Sequence, residues 1–552
     1  MRRPVLLRAL NEAYRLHLRP AWLRFAAAAR DPAAAQAARL SAVLAGAAGT
    51  AFAREHGLSR VRTLADWQAA VPIRDYDELA PWIERVVRGE PLVLTREPPV
   101  VFEKSSGSTR ASKYVPYPRA FLAEFGRATG PWLYDLLSRR PALRGGSSYW
   151  SISPVGSGPR ERTPGGVPVG FEDDTEYFPR PVRRLLRALL PVPSAVARLE
   201  RVEDCRYVTL RYLLADERLS FVSVWSPSFL TLLLEHARRH ADRLADDLAR
   251  GALRPPGGRL SAGFGDLSPP DPRRAALVRE AFPPAGPLRL ERVWPRLRLV
   301  SCWCDAAAQA QVPALRALLP PAVELQPKGL LATEGVVSFP LLDRPGAVLA
   351  VDAHVLELQP ADDPSARPLP PALAREGARY LPILSTSGGL YRYRLGDVVE
   401  VVGRYEATPL VRFVERADGV SDLAGEKLSP GRVGEALAAA CAEVGARPDF
   451  ALLAPRAGTP PGYRLFVDAA LEPALRARLA AALETRLREG HHYDLCRRLE
   501  QLAPLDTAPV ACGWARYERA LVSRGMRAGD VKPACLRREP WWDEALAPEA
   551  PA

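Results

Sequence analysis

Residues 103–116, Glu-Lys-Ser-Ser-Gly-Ser-Thr-Arg-Ala-Ser-Lys-Tyr-Val-Pro, gather small hydroxyl side chains around Gly107. Apolar residues flank them, which predicts a strand, a glycine turn and a second strand. Such a turn can aim backbone N–H groups and hydroxyls at phosphate oxygens, as an anion nest does. Lys104, Arg110 and Lys113 add positive charge. The same residues also fit a serine-rich hairpin with no ligand. The stretch is neither GxxxxGK[ST] nor GxSxG.

Two further segments carry acids next to turns. In Gln326-Pro327-Lys328-Gly329-Leu330-Leu331-Ala332-Thr333-Glu334-Gly335, a hydroxyl and a carboxylate end an apolar run. That pair suits a magnesium ion held against a phosphate, although a solvated loop glutamate explains the local sequence as well. In Gly389-Leu390-Tyr391-Arg392-Tyr393-Arg394-Leu395-Gly396-Asp397, an aspartate at a tight glycine turn can accept both hydroxyls of a ribose, and the tyrosines can stack or pack. Glu415-Arg416, Gly425-Glu426-Lys427 and Gly529-Asp530-Val531-Lys532-Pro533 complete the set.

Lysine usage marks the same places. Of 76 basic residues only five are lysines, at 104, 113, 328, 427 and 532, and each lies in or beside one of these segments. A drift toward arginine should erase any lysine that arginine can replace. A compact ammonium acts as a point charge on a phosphate or carboxylate, which the planar guanidinium does not reproduce.

The elements that must position these groups alternate in type. Residues 1–100 read as helices with polar breaks. Ser226-Pro227 opens a helix running to about Arg250, with serine as N-cap, proline at the first position and Gly251 as terminator. Short apolar strands are expected at 297–304, 321–326, 335–341 and 348–358, and 388–405 alternates as a strand pair around Gly396-Asp397. After about residue 418 a smaller unit follows. Its helices are expected near 430–445 and 472–488, and its strands near 449–453 and 463–469. Helices mixed with short strands predict an α/β fold. A length of 552 residues exceeds one core and requires at least two domains. The division expected here is 1–417 and 418–552.

Composition excludes several classes. The net charge of +13 is spread along the chain among 63 acidic residues, which argues for a basic cleft rather than a nucleic-acid surface. No stretch approaches the length of a membrane span. The first twenty residues read as an amphipathic helix because Arg8, Asn11 and Arg15 interrupt any apolar run. Seven scattered cysteines without a CxxC pair point to a reducing cytoplasm. Cys302-Trp303-Cys304 would alternate so that both thiols face one side and are buried. His236 and His240, four apart with two arginines between, read as a solvated helix face rather than a metal pair.

Taken in order, these segments resemble the adenylate-forming superfamily, and within it the GH3 family of acyl acid–amido synthetases. The resemblance rests on SSGST with KYVPY, VWSPSFLTLLLEH at 224–236, GLYRYRLGDVVEVVG, RFVERADGVSDLAGEKLSP, HYDLCRRLEQLAPL and GDVKP, and covers roughly 100–540. It implies a large N-terminal ATP- and acyl-binding domain with sheets flanked by helices, and a small mobile α+β C-terminal domain. It also implies roles: Ser105, Ser106, Gly107, Ser108 and Thr109 cradling ATP phosphates, Thr333 on the α-phosphate, Glu334 on Mg²⁺ and Asp397 on the ribose. Lys427 and Lys532 would reach phosphate and acyl-adenylate oxygens from the small domain, with Arg416 near the hinge. Where an aromatic residue usually stacks on adenine this chain has Leu330. The implied reaction joins a small carboxylic acid to an amine or amino acid through acyl-AMP. No nucleic acid, membrane or obligate protein partner is expected. An acyl-CoA ligase and a non-catalytic nucleotide- or nucleic-acid-binding protein stay open as alternatives. The acid's pocket is expected around 120–135, 170–180 and 224–233. Phe125, Trp132, Phe171 and Trp225 are candidate liners, and core packing is the competing fate of each.

Overall fold

The computed structural model describes residues 2–105, 113–152, 160–171, 174–258, 264, 267–363, 365–421, 423–424, 426, 428–458, 460–498 and 501–547. Two compact units emerge. The first comprises Met1–Trp225, Leu233–Cys302 and Leu319–Phe413; the second comprises Ser226–Leu232, Trp303–Leu318 and Val414–Ala552.

In the first unit the opening helix, Arg2–Arg30, turns Leu7, Tyr14, Leu18 and Phe25 inward at spacings of four and seven. Asn11 lies on that buried face because its amide donates to the carbonyls of Arg144 and Gly146, at 3.1 and 2.9 Å. Strands β1 (Val101–Ser105) and β2 (Lys113–Tyr117) form an antiparallel pair with Ser105 opposite Lys113. Strands β3 (Ser147–Trp150), β4 (Leu219–Ser223), β5 (Leu299–Cys302) and β6 (Glu324–Pro327) make a parallel sheet in that order. β4 and β5 are almost entirely buried, as strands covered on both faces are. β7 (Leu331–Ala332) and β8 (Gly335–Val336) pair antiparallel across Thr333-Glu334.

A seven-stranded sheet completes the unit. It contains β9 (Ser338–Pro340), β10 (Ala347–Leu349), β11 (Val355–Pro360), β12 (Arg379–Ser385), β13 (Tyr393–Arg394), β14 (Asp397–Tyr405) and β15 (Thr408–Arg416). Its order is β11-β12-β14-β15-β10-β9, with β13 also against β12. The second unit holds β16 (Ala451–Arg456), β17 (Gly462–Asp468) and β18 (Asp506–Val510), with the first pair antiparallel and the second parallel. Two of its helices are Pro430–Val444, capped by Ser429, and Pro473–Arg488.

Three expectations need correction. Residues 388–405 are not a hairpin: β13 and β14 both run antiparallel to β12, through Ile383–Arg394 and Tyr380–Val399. They are one interrupted strand, re-aimed at Gly396, whose φ of +82° an L side chain rarely adopts. The helix expected over 227–250 breaks at His240 into Pro227–Arg239 and Ala241–Arg250, although Gly251 does end it in the left-handed conformation. Finally, β5 stops at Cys302; Cys304 lies past its end and is only half-buried, so the two thiols do not share a strand face. None of the seven cysteines forms a disulfide. Among the described residues no helix is long and apolar enough to cross a membrane.

His236 also departs from the solvated face expected of it. It continues the line of Phe229 and Leu233, the buried stripe of its helix, and is itself buried. Its ring lies 4.4 Å from that of His240, and burial pushes its pKa down to about 3. Below pH 6.5 the unfolded chain therefore takes up a proton that the folded chain refuses until about pH 3. Stability should fall as pH drops through that window, by up to about 1.4 kcal/mol per unit from this group. His236→Leu should flatten the decline in urea midpoint between pH 7 and 4.5; equal declines in both proteins would contradict the assignment.

Candidate active site

The three acid- and hydroxyl-bearing segments of the first unit meet around the Thr333-Glu334 turn. Thr333 and Glu334 are the two unpaired residues between β7 and β8. From one side the hydroxyl of Tyr117, the last residue of β2, donates to the Thr333 carbonyl. From the other, the hydroxyl of Tyr393 in β13 reaches the Glu334 carboxylate at 3.4 Å. Glu334 is 9% exposed. The β1–β2 pair, the TEG turn and β13 of the Tyr-Arg-Tyr-Arg-Leu-Gly-Asp segment thus lie together within one unit.

A buried chain of polar groups fixes this turn from behind. The N–H of Val336 donates to His354 Nε2 at 3.1 Å. That nitrogen must be an acceptor, so the imidazole proton sits on Nδ1, which faces the Glu124 carboxylate at 3.0 Å. Glu124 also accepts from the Ser387 hydroxyl at 2.6 Å and the Ser387 N–H at 3.1 Å. Gly335 packs tightly here: a Cβ there would lie 3.1 Å from His354 Nε2, closer than side-chain carbons ordinarily approach. Sequence reading missed Glu124 and His354. A lone glutamate within a largely buried helix and a lone histidine just before an apolar strand carry no motif, and only the fold pairs them.

The third segment spends most of its side chains on its own placement. Tyr391 is buried and donates to the Leu94 carbonyl at 2.6 Å. Arg392 is 4% exposed at φ +50°, and its guanidinium grips Glu357 with two bonds of 2.8 and 3.0 Å. It also donates to the carbonyls of Val71 and Gln68. Ser385 Oγ accepts from the Arg392 N–H and from Trp67 Nε1. The tyrosines therefore pack. Asp397 opens β14 directly after the Gly396 bend and is buried.

Other expected residues separate into groups. Ser105 ends β1, whereas Ser106, Gly107, Ser108 and Thr109 lie outside the described residues, as does Lys427. Lys104 is engaged by Glu161 at 2.6 Å and Lys113 lies over the Tyr76 ring. Phe125 and Phe171 share an aromatic cluster with Tyr117 and Tyr177, with centroids 4.4–5.7 Å apart. Trp132 and Trp225 instead flank the ammonium of Lys328, at 4.9 and 5.3 Å. Leu330, where an adenine-stacking ring was sought, packs against the main core.

In the second unit Lys532 is exposed, its ammonium 5.0 Å from the Trp303 ring. Its carbonyl accepts from the Tyr517 hydroxyl at 2.9 Å, and the Arg537 guanidinium donates to that hydroxyl. Burial raises the pKa of nearby Asp530, against the pull of Arg527 and Lys532. Arg416, at the end of β15, is exposed.

Family models match most of the chain: the GH3 family N-terminal domain at residues 22–323, its central domain at 349–416 and its C-terminal domain at 432–540. The chain belongs to the GH3 family. A human GH3 domain-containing protein is 34% identical over 219 residues, spanning 37% of this chain and 41% of that protein. A probable indole-3-acetic acid-amido synthetase, GH3.12 of Oryza sativa subsp. japonica, is 27% identical over 464 residues, 72% of this chain and 70% of the relative. Among solved structures, an AtGH3.15 acyl acid amido synthetase in complex with 2,4-DB matches with a TM-score of 0.82 at 19% identity, covering 95% of both chains. The GH3 fold is therefore shared along nearly the whole chain.

Within this GH3 chain the Arg392–Glu357 pair sets the third segment. Arg392→Met leaves a buried carboxylate without its cation and should destabilise the protein by about 3–5 kcal/mol. Arg392→Met with Glu357→Leu should recover most of that loss in thermal melts. A double mutant no better than the single would show that the pair is not the anchor.

Proposed function

We propose that this GH3 protein is an ATP-dependent acid–amino acid ligase. The observation that carries the reading is the Thr333-Glu334 turn, bonded by Tyr117 of the β1–β2 pair and by Tyr393 of the Tyr-Arg-Tyr-Arg-Leu-Gly-Asp segment. Relatives of the same family bear the name amido synthetase, which favours an amine as acyl acceptor.

The chemistry assigned to the site has two steps. A carboxylate oxygen of the acid attacks the α-phosphorus of ATP; the new acyl–O–P bond forms as the P–O bond to pyrophosphate breaks. An amine then attacks the acyl carbon, AMP leaves with the bonding pair, and the amine proton passes to solvent. The protein aligns anions that repel one another and spreads their charge over fixed donors. Residues 105–109 are the candidates for the phosphates, Thr333 for the α-phosphate, Asp397 for the ribose, and Arg416, Lys427 and Lys532 for later contacts. Among the described residues no group of three or more metal-ligating side chains forms. A single carboxylate is nevertheless what magnesium needs when phosphates and water fill the other positions, and Glu334 fits that role. When bound, the ion would neutralise phosphate charge. Seven cysteines without a disulfide fit a reducing cytoplasm.

ATP–pyrophosphate exchange driven by a panel of carboxylic acids tests the first step, and amide formation with amino acids, against thioester formation with CoA, tests the second. Exchange with no acid would refute the reading. Lys532→Ala should lower exchange by about 10²–10³-fold without unfolding the first unit; an unchanged rate would remove its role. Asp397→Ala should raise the ATP KM by about ten- to a hundredfold, through the loss of charge-assisted bonds. A wild-type KM there would contradict the ribose contact.

A further inference from the structure

The carboxyl ends of parallel strands in an open α/β sheet are where ligands are usually received. At that end of the β3–β6 sheet, Ser223 of β4, Ser301 of β5 and Gln326 of β6 are lateral partners, so their side chains share one face. Lys328 follows two residues after Gln326. Its ammonium donates to Ser223 Oγ at 2.8 Å and lies between the rings of Trp132 and Trp225. At 7% exposure it is a charge removed from water.

The row is rich in hydrogen-bond capacity that the protein does not use. Trp132 Nε1 donates to Gln326 Oε1 at 2.9 Å. An indole N–H is a donor only, which fixes the carboxamide and turns its NH₂ away from the indole. Gln326 is 4% exposed and Ser301 fully buried, yet Gln326 Nε2 and Ser301 Oγ have no hydrogen-bond partner among the described residues. Each such atom has given up its water partners without replacement, which is unfavourable. A buried cation, an unused amide donor and an unused hydroxyl on one sheet face, walled by two indoles, call for a flat anion.

We infer that this cradle binds a carboxylate of the acid substrate, with Lys328 and Gln326 Nε2 as its donors and Trp132 and Trp225 as flat walls. The inference rests on the ligase reading and adds to it: Lys328 is a specificity residue, and the acids taken are those whose anionic group reaches it. The carboxylate held is either the one to be activated or a second one on a diacid.

Calorimetric titration without ATP, using benzoate, indole-3-acetate and glutarate as probes, tests this directly. Lys328→Met should weaken binding by about tenfold or more, and Lys328→Arg, which keeps the charge, should restore part of it. Gln326→Met should weaken binding with the lysine in place. Loss for all three acids assigns the cradle to the reacting carboxylate; loss for glutarate alone assigns it to a second one. Binding to a folded Lys328→Met protein as tight as wild type, or no binding of any probe to wild type, overturns the inference. Lysine-dependent binding without pyrophosphate exchange would sink the ligase reading and leave the cradle standing.

Discussion

A histidine sealed from solvent can keep only one arrangement of its proton when both ring nitrogens are spoken for. His354 is in that position: Val336 supplies a donor to Nε2, so Nδ1 must donate, and Glu124 is there to receive. Because Glu124 also takes both donors of Ser387, its carboxylate is satisfied on several sides despite its burial. The consequence is mechanical. Helix Arg119–Arg139, strand β8 and the segment after β12 are tied through two side chains, and the Thr333-Glu334 turn cannot shift without leaving a buried polar group stranded. Gly335 follows from this, since a Cβ there would press on the imidazole at 3.1 Å.

The Arg392–Glu357 pair extends the same logic one layer outward. A non-glycine residue at φ +50° persists when its surroundings over-determine it. Here the guanidinium fork on Glu357, two carbonyls and the Ser385 hydroxyl on the backbone N–H do so. Tyr391, Arg392 and Tyr393 therefore face protein, and Asp397 is the residue that the proposed ribose contact would need. A motif that looks dense in reactive groups is mostly a brace for one aspartate and a partner for Glu334.

Sequence made some of this legible. The order of the segments led to the family, and Ser226-Pro227 and Gly251 marked the start and end of a helical stretch where the structure has them. Periodicity misled at Gly396, because alternation on both sides of a bend looks the same for a hairpin and for one kinked strand. His236 was legible in principle: its spacing from Phe229 and Leu233 puts it inside, but two neighbouring arginines suggested solvent. Glu124, His354 and the Ser223–Ser301–Gln326 row were not legible at all. Their meaning comes from lateral pairing between strands far apart in the chain, which no local spacing encodes.

Lysine scarcity acquires a physical sense once the rings around it are seen. Each lysine among the described residues lies over an aromatic ring: Lys104 over Tyr114, Lys113 over Tyr76, Lys328 over Trp132 and Trp225, and Lys532 over Trp303. Ring contact alone does not explain the choice, because a guanidinium stacks on aromatic faces at least as well. The difference lies in shape. A guanidinium stacks by aligning its plane with one ring, whereas an ammonium can take two rings and a hydroxyl at once. Among the described lysines only Lys328 has that surrounding, with two indoles and the Ser223 hydroxyl around its ammonium. In a chain that uses arginine nearly everywhere else, a compact point charge is what this slot admits, and a donor-rich wall behind it is what gives the charge something to hold.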